Sequence, residues 1–126
     1  MSRSRRDFGA WGEEIATEHL KARGYQVLER NVHTPEGELD IVAKQGEYLV
    51  FVEVKARGSQ AFGSPEEALT KTKQRRLRRA AWAYLQAHGQ VEADWRIDVV
   101  AIDGSLTHGV RRLEHYEFAV GSEDDL

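Results

Sequence analysis

The sequence contains no cysteine, only two prolines among its 126 residues, and no long apolar run. The absence of cysteine excludes disulfide scaffolds, zinc–thiolate sites and thiol nucleophiles. No segment approaches the roughly 20 consecutive apolar residues that span a bilayer, and no apolar signal segment follows the basic N-terminus. We therefore expect a cytoplasmic protein with no membrane partner.

The length favours one domain, with an ordered core over about residues 7–119 and frayed termini. Hydrophobic residues make up 40% of the chain and charged residues 31%, a balance typical of a globular protein with a real core. The chain shows no internal repeat and no linker. We accordingly expect a single folded unit over residues 1–126.

Charge is segregated along the chain, although the net charge is only −3. Arg3, Arg5 and Arg6 form a basic N-terminal cluster, and Glu123, Asp124 and Asp125 form an acidic tail. Residues 71–79 carry six basic side chains and no acid, so no i,i+4 ion pair balances them there. This segment is either a solvated helix face or a surface for nucleic-acid phosphates. Its candidate contacts are Lys71, Lys73, Gln74, Arg75, Arg76, Arg78 and Arg79.

Periodicity and turn residues predict an α/β domain with the order α-β-β-β-α-β and a further edge strand. A helix is predicted over 7–23, where Gly9, Glu13, Ala16 and Leu20 share one face. A second helix should begin at the capping box of Ser64, Pro65 and Glu67 and run to about 88. The strands are predicted over 25–30, 38–44, 48–56, 96–102 and 110–116, with loops over 31–37 and 56–64 and a turn at 103–104.

One constellation of side chains could carry chemistry. Glu53 and Lys55 lie two residues apart on a strand and so share a face. Asp40, on the preceding strand, joins that face if the hairpin turn is Gly46-Glu47, which places it opposite Glu53. It also joins that face if the turn is Gln45-Gly46, whereas a three-residue turn would separate the groups.

Two adjacent carboxylates repel each other unless a proton or a cation neutralises them. Oxygen ligands without nearby histidine or cysteine suit Mg²⁺ or Mn²⁺. With a lysine beside them, Asp40 and Glu53 have the equipment for metal-assisted phosphodiester hydrolysis, and Glu13 could add a third carboxylate. The alternative is a surface salt-bridge cluster, with Glu13 an ordinary solvated side chain.

The positions of the other polar and aromatic residues indicate structural roles. The five histidines are scattered without ligand spacing, and Arg96 and Asp98 are placed to form an ion pair on one strand face. Trp11, Trp82 and Trp95 are expected in or at the edge of the core, although one of them could stack on a base.

A series of motifs follows in order along the chain: Gly9-x3-Glu13-x2-Ala16, Gly24-Tyr25, Arg30-Asn31, Gly37-Glu38-Leu39-Asp40, Phe51-Val52-Glu53-Val54-Lys55, Arg57, Lys73, Tyr84-Leu85 and Arg96-Ile97-Asp98-Val99-Val100. This ordered series resembles the bacterial YraN-like proteins, the uncharacterised family UPF0102, over about residues 9–119. This family is related in fold to archaeal Holliday junction resolvases. The resemblance implies a restriction-endonuclease-like core of the PD-(D/E)xK superfamily, with a mixed sheet flanked by helices.

In the superfamily pattern a helix glutamate, an aspartate and a Glu-x-Lys form the metal site, which here implies Glu13, Asp40, Glu53 and Lys55. In the hypothesis below, Asp40 and Glu53 bind the metal, with the Val54 carbonyl as a further ligand. Lys55 and Glu13 would be catalytic partners, and Lys73 and Gln74 would be auxiliaries on the following helix. Leu39 stands where the superfamily signature has proline, a departure that many members share.

These observations lead to one hypothesis and two alternatives. The hypothesis is an Mg²⁺- or Mn²⁺-dependent endonuclease, a hydrolase acting on DNA of branched or otherwise structured form, with no small-molecule cofactor and with a homodimer as one assembly. The alternatives are a nucleic-acid-binding protein with a nuclease-like fold that does not cut, and a protein-interaction adaptor whose basic helix meets an acidic partner.

Overall fold

Five strands form one mixed sheet with a helix on each face, in a computed structural model that describes residues 5–58 and 69–120. The elements in chain order are α1 (Arg5–Ala22), β1 (Gln26–Thr34), β2 (Gly37–Gln45), β3 (Tyr48–Arg57), α2 (Lys71–Ala87), β4 (Asp94–Ser105) and β5 (Gly109–Val120). The predicted α/β class is confirmed, and so is the predicted element order with its further edge strand.

The spatial order of the strands follows the chain, β1-β2-β3-β4-β5. Only the β3–β4 pair is parallel among these strands, and the crossover that such a pair requires contains α2. The other pairs of neighbouring strands are antiparallel. This arrangement agrees with the restriction-endonuclease-like core that the resemblance implied.

Apolar side chains of β3 alternate between the two faces of the sheet. Val50 and Val52 pack in the cluster beneath α1, whereas Leu49 and Phe51 pack in the cluster beneath α2. Because both faces of β3 are covered, its sequence is continuously apolar from Leu49 to Val52 before it turns polar at Glu53. The first polar side chain of this buried strand therefore stands where the core ends.

Helix α1 lies close to β3 because its packed face contains small residues. A Cβ atom on Gly12 would lie 2.8 Å from the Cβ of Ala56, so a glycine is needed at that contact. Ala16 and Leu20 are fully buried, but Gly9, which was predicted to share their face, is exposed and meets no neighbour. The glycine at the close approach is therefore Gly12, about one turn further along α1.

The predicted start of α2 was wrong. Leu69 and Thr70 are not helical, and Thr70 caps α2 by accepting a hydrogen bond from the Lys73 backbone N–H at 3.2 Å. A continuous helix from Ser64 is excluded for this reason, and the capping box itself lies outside the described residues. The side chains of the basic N-terminal cluster and the acidic tail also lie outside them.

Two strands extend beyond their predicted ends. β1 continues through Asn31 to Thr34, where a loop was expected, and the chain then turns at Pro35 and Glu36. β4 continues through Asp103 and Gly104, where a turn was expected, and the register with β5 shifts at that point. Neither helix within the described residues is long and apolar enough to cross a membrane.

A polar network is buried between the sheet and α1. The Arg96 guanidinium donates to both carboxylate oxygens of Asp98, at 3.0 and 3.3 Å, and to the Tyr25 hydroxyl at 2.8 Å. His115 lies 2.8 Å from Asp98 and 3.1 Å from His19 through its two ring nitrogens. Asp98 is fully buried and Arg96 is 4% exposed, so the predicted ion pair is confirmed as a core element.

We predict that Asp98→Asn destabilises the fold by about 3–5 kcal/mol, because it removes the buried carboxylate that neutralises Arg96 and leaves the more exposed Glu117, 3.9 Å away, as the remaining carboxylate beside it. Urea unfolding at neutral pH measures the change. The control is Glu14→Gln, which removes an exposed ion pair with Arg30 and should cost about 0–1 kcal/mol. Equal stability of the two variants would contradict the central role given to Asp98.

Candidate active site

The hairpin between β2 and β3 fixes the relative positions of the candidate residues. Gln45 pairs with Tyr48, so Gly46 and Glu47 form a two-residue turn, and Gly46 adopts the positive φ of +59° that such a turn favours. This is the first of the two registers considered from the sequence. It places Asp40 at the position opposite Glu53.

The two strands part at the site. β2–β3 pairing ends at Ile41 and Val52, whereas on its other edge β3 stays paired with β4 as far as Arg57. At the parting, the Asp40 carboxylate accepts a hydrogen bond from the Val54 backbone N–H at 2.8 Å. A side chain of β2 thus takes the place of a ladder bond. The Val54 carbonyl faces the same gap, because the N–H and C=O of one strand residue point to the same side.

Glu53 and Lys55 extend from β3 on the side where α2 lies. The Lys55 ammonium is 3.4 Å from a Glu53 carboxylate oxygen, and the two side chains are only 24% and 19% exposed. The predicted grouping of an aspartate, a glutamate and a lysine is therefore present at one end of the β2–β3 pair.

The electrostatics of Asp40 differ from those of a surface carboxylate. Burial, followed by the charge of Glu53 and a hydrogen bond with it, raises the pKa of Asp40 to about 7. The Val54 N–H and Lys55 act in the opposite direction but do not cancel these effects. Near neutral pH the pair is thus poised to share a proton or to exchange it for a cation.

Glu13 approaches the same acids from α1, on the other face of the sheet. Burial and the charge of Asp40 raise the pKa of Glu13, whereas a hydrogen bond with Asn31 and the charge of Arg30 lower it. Asn31, which has a φ of +53° on β1, forms this hydrogen bond with Glu13 across to α1. Glu13 is therefore electrostatically coupled to Asp40 although it does not line the cavity described next.

A cavity of about 340 Å³ opens beside the acids. Asp40, Glu53 and Lys55 form one wall, and Lys73 and Arg76 of α2 form the other. Opposite charges thus line one space, with two cations placed to meet an anion that approaches the carboxylates.

The remaining basic-helix candidates lie elsewhere. Gln74 donates its side-chain N–H to the Leu69 carbonyl at 2.9 Å and so closes the start of α2. Lys71 is exposed in the first turn. Arg75, Arg78 and Arg79 lie along another side of the helix, where they line a second cavity.

The donor set fits a hard divalent cation. Asp40 and Glu53 supply two carboxylates, and the Val54 carbonyl faces the same gap; Mg²⁺ is commonly held by one or two carboxylates together with water and phosphate oxygens. Within residues 5–58 and 69–120, no group of three or more histidine, aspartate and glutamate side chains is arranged to hold a metal. Two carboxylates and one carbonyl leave coordination positions that water or phosphate oxygens would have to fill.

Comparison with known proteins places these residues in a family. The model of the uncharacterised protein family UPF0102 matches residues 12–102. The chain belongs to UPF0102. The matched range contains Glu13, Asp40, Glu53, Lys55 and Lys73, so the resemblance drawn from the motifs is confirmed.

Several UPF0102 proteins are similar over most of their length. One from Beutenbergia cavernae is 50% identical over 113 residues, covering 90% of this chain and 95% of that protein. One from Syntrophomonas wolfei is 48% identical over 97 residues, covering 77% and 84%. One from Dehalococcoides mccartyi is 40% identical over 123 residues, covering 98% and 100%.

Among solved structures, SfsA from Pyrococcus furiosus in complex with Ca²⁺ aligns with a TM-score of 0.38 and 14% identity. The alignment covers 91% of this UPF0102 chain and 64% of that chain.

Sequence reasoning did not identify two contacts that organise the site. The Asn31–Glu13 hydrogen bond lies in a segment that was expected to be a loop, and asparagine's tolerance of positive φ was the available signal. The Val54–Asp40 hydrogen bond had no sequence signal, because it depends on where two paired strands separate.

We predict that Asp40→Asn makes the metal-free protein relatively more stable as the pH rises. The folded-state pKa of about 7 exceeds the ordinary value of 3.8, so the wild type holds a proton more tightly when folded and loses stability between these values. At about 1.4 kcal/mol per pKa unit, the gain at pH 8 should be at most about 4 kcal/mol and should fade toward pH 4.

Urea unfolding with a chelator at several pH values measures this effect. Glu47→Gln, in the exposed hairpin turn, should show no such trend relative to the wild type. Parallel stability curves for Asp40→Asn and the wild type would show that folding does not raise the pKa of Asp40.

Proposed function

We propose that this UPF0102 protein is an Mg²⁺- or Mn²⁺-dependent endonuclease that hydrolyses phosphodiester bonds in DNA of branched or otherwise structured form. The observation that carries the proposal is the Asp40 carboxylate, which lies in the gap between parting strands beside Glu53 and Lys55. We also propose that it acts in the cytoplasm, since the chain has no cysteine and its described helices include no membrane-spanning segment.

Asp40, Glu53 and the Val54 carbonyl would hold the cation, which would supply Lewis-acid stabilisation of charge developing on the phosphodiester. Lys55 contributes an ammonium group within 3.4 Å of Glu53 and lines the same cavity, so it can orient an attacking water. Glu13 is coupled to Asp40 and can modulate the charge of the acid pair from the α1 side.

The basic side chains of α2 would bind the phosphates. Lys73 and Arg76 line the cavity opposite the carboxylates, where they can hold the phosphate that is cut. Arg75, Arg78 and Arg79 extend the positive surface along the helix, where they can hold neighbouring phosphates. A homodimer, which would permit paired cuts, is part of the same proposal.

We predict that the purified protein cleaves plasmid or junction DNA with Mn²⁺, and that Asp40→Asn reduces cleavage to background. Lys55→Ala should lower the rate by about 10²-fold, because the attacking water loses the ammonium group that orients it. Product formation on gels under single-turnover conditions measures both effects.

Lys44→Ala is the matched control, because Lys44 is an exposed lysine on β2 outside the cavity, and it should keep the wild-type rate. Cleavage that continues unchanged in both Asp40→Asn and Lys55→Ala would assign the activity to another site or to a contaminant.

A second candidate function is nucleic-acid binding without cleavage. It is favoured by the Glu53–Lys55 ion pair, which already neutralises part of the acidic charge without a cation. Calorimetric titration with Mn²⁺ in the presence of DNA separates the two functions. Heat of binding that disappears in Glu53→Gln supports the nuclease, whereas salt-sensitive DNA binding without any metal binding supports the binding protein.

A further inference from the structure

A second cavity lies along α2, on a side that the hydrolytic site does not use. It has a volume of about 600 Å³ and is lined by Arg75, Arg78, Arg79, Trp82, Trp95 and Glu36. We call it the indole groove. Positions 75, 78, 79 and 82 follow helical spacing, so these side chains share one side of α2, whereas Leu77, Ala81 and Leu85 face the core.

The two tryptophans of the indole groove differ in their surroundings. Trp95 is half-buried and meets the Phe51 ring edge to face, with the ring centroids 5.9 Å apart, so the core fixes its orientation. Trp82 is 43% exposed, although tryptophan is usually well buried. The groove thus combines a rigid aromatic wall with an indole that is accessible from solvent.

Charge and aromatic surface occur together in this groove. Arg75 and Arg79 are exposed beside Trp82, and the ion pair between Arg79 and Glu36 is open to solvent, at 3.4 Å with both side chains about half exposed. Basic side chains that follow a backbone, combined with aromatic rings on which bases stack, are the two features that bind single-stranded nucleic acid. In a duplex the base faces are covered by neighbouring base pairs, so no base inside the duplex can stack on an indole.

The indole groove adjoins the cavity beside Asp40 and Glu53, which we call the acid cavity. Glu36 lines the groove, and its neighbour Gly37 lines the acid cavity. Likewise Arg75 lines the groove, and its neighbour Arg76 lines the acid cavity. Lys73 and Trp82 are nine residues apart on α2, which corresponds to about 14 Å along the helix axis at about 1.5 Å per residue. At about 3.4 Å per nucleotide, the spacing of a strand in a duplex, this is a span of at most roughly four nucleotides, since an unpaired strand is more extended.

We infer that the indole groove binds an unpaired stretch of the nucleic-acid substrate, with a base stacked on Trp82 and flanking phosphates on Arg75 and Arg79. The occupant is the DNA of the proposed function, and in this respect the inference rests on that function. It adds the substrate class: DNA with single-stranded nucleotides within about four positions of the acid cavity, as in a flap, an overhang or an opened branch.

Fluorescence anisotropy with a chelator present tests the inference without requiring cleavage. The probes are labelled oligo-dT, a duplex with a six-nucleotide 3′ or 5′ overhang, and a blunt duplex of equal length. The wild type should prefer the unpaired probes. Trp82→Ala should weaken their binding by about 5- to 150-fold, the equivalent of one lost base–aromatic stack.

Trp82→Phe should restore most of the affinity, because it keeps an aromatic face. Val110→Ala changes an exposed apolar residue on β5, at the opposite edge of the sheet from β1, and should bind as the wild type does. Equal wild-type affinity for blunt and unpaired probes, or unaltered oligo-dT binding by Trp82→Ala, would overturn the inference.

The same variants separate this inference from the nuclease proposal. Trp82-dependent binding without any Mn²⁺-dependent cleavage would support the groove and reject the nuclease. Cleavage abolished by Asp40→Asn but binding and cleavage indifferent to Trp82→Ala would support the nuclease and reject the groove.

Discussion

The hydrogen bond from the Val54 backbone N–H to the Asp40 carboxylate is the contact on which the site depends. It occurs where β2 and β3 stop pairing, so a side chain occupies the space that a ladder would otherwise fill. The partly buried carboxylate is thereby held beside Glu53, and the proximity of the two acids is what perturbs the protonation of Asp40. A pair of acids held in this way is costly for the apo protein and favourable for a cation.

The rest of the fold supplies this gap with rigid surroundings. β3 is held by parallel pairing with β4 along its other edge, and both faces of its first half are buried. Helix α1 lies close over β3 through Gly12 and brings Glu13 toward the acids from one side. Helix α2 brings Lys73 and Arg76 from the other side. The connection between the parallel strands β3 and β4, which contains α2, thus places Lys73 and Arg76 opposite Asp40 and Glu53.

Much of this arrangement was predictable from local sequence patterns. The Gly46 turn and the apolar alternation limited the β2–β3 pairing to two registers that both keep Asp40, Glu53 and Lys55 on one face, because a shift of one residue would reverse every buried side chain of β3. Glu53 and Lys55 share a face for the same reason. The grouping of Asp40 with them followed from the register, and the buried Arg96–Asp98 pair followed from strand periodicity.

Other features depend on contacts that local patterns do not encode. The capping signal in the sequence lies at Ser64, but Thr70 caps the helix in the structure. The separation of β2 from β3 involves a bond between residues 14 positions apart, and the His19–His115 contact joins residues 96 positions apart. The indole groove is likewise a product of tertiary structure, since Trp82 and Trp95 lie on different elements. Sequence reasoning therefore found the acids but not the strand separation that holds them together.

Anomalous diffraction from a crystal soaked in Mn²⁺ would show whether the acid pair at the strand separation binds one divalent cation. We expect an anomalous peak within about 2.0–2.3 Å of oxygens from both Asp40 and Glu53, in a site that the Val54 carbonyl can complete. A crystal that shows no peak there at millimolar Mn²⁺, with Lys55 still paired to Glu53, would contradict it.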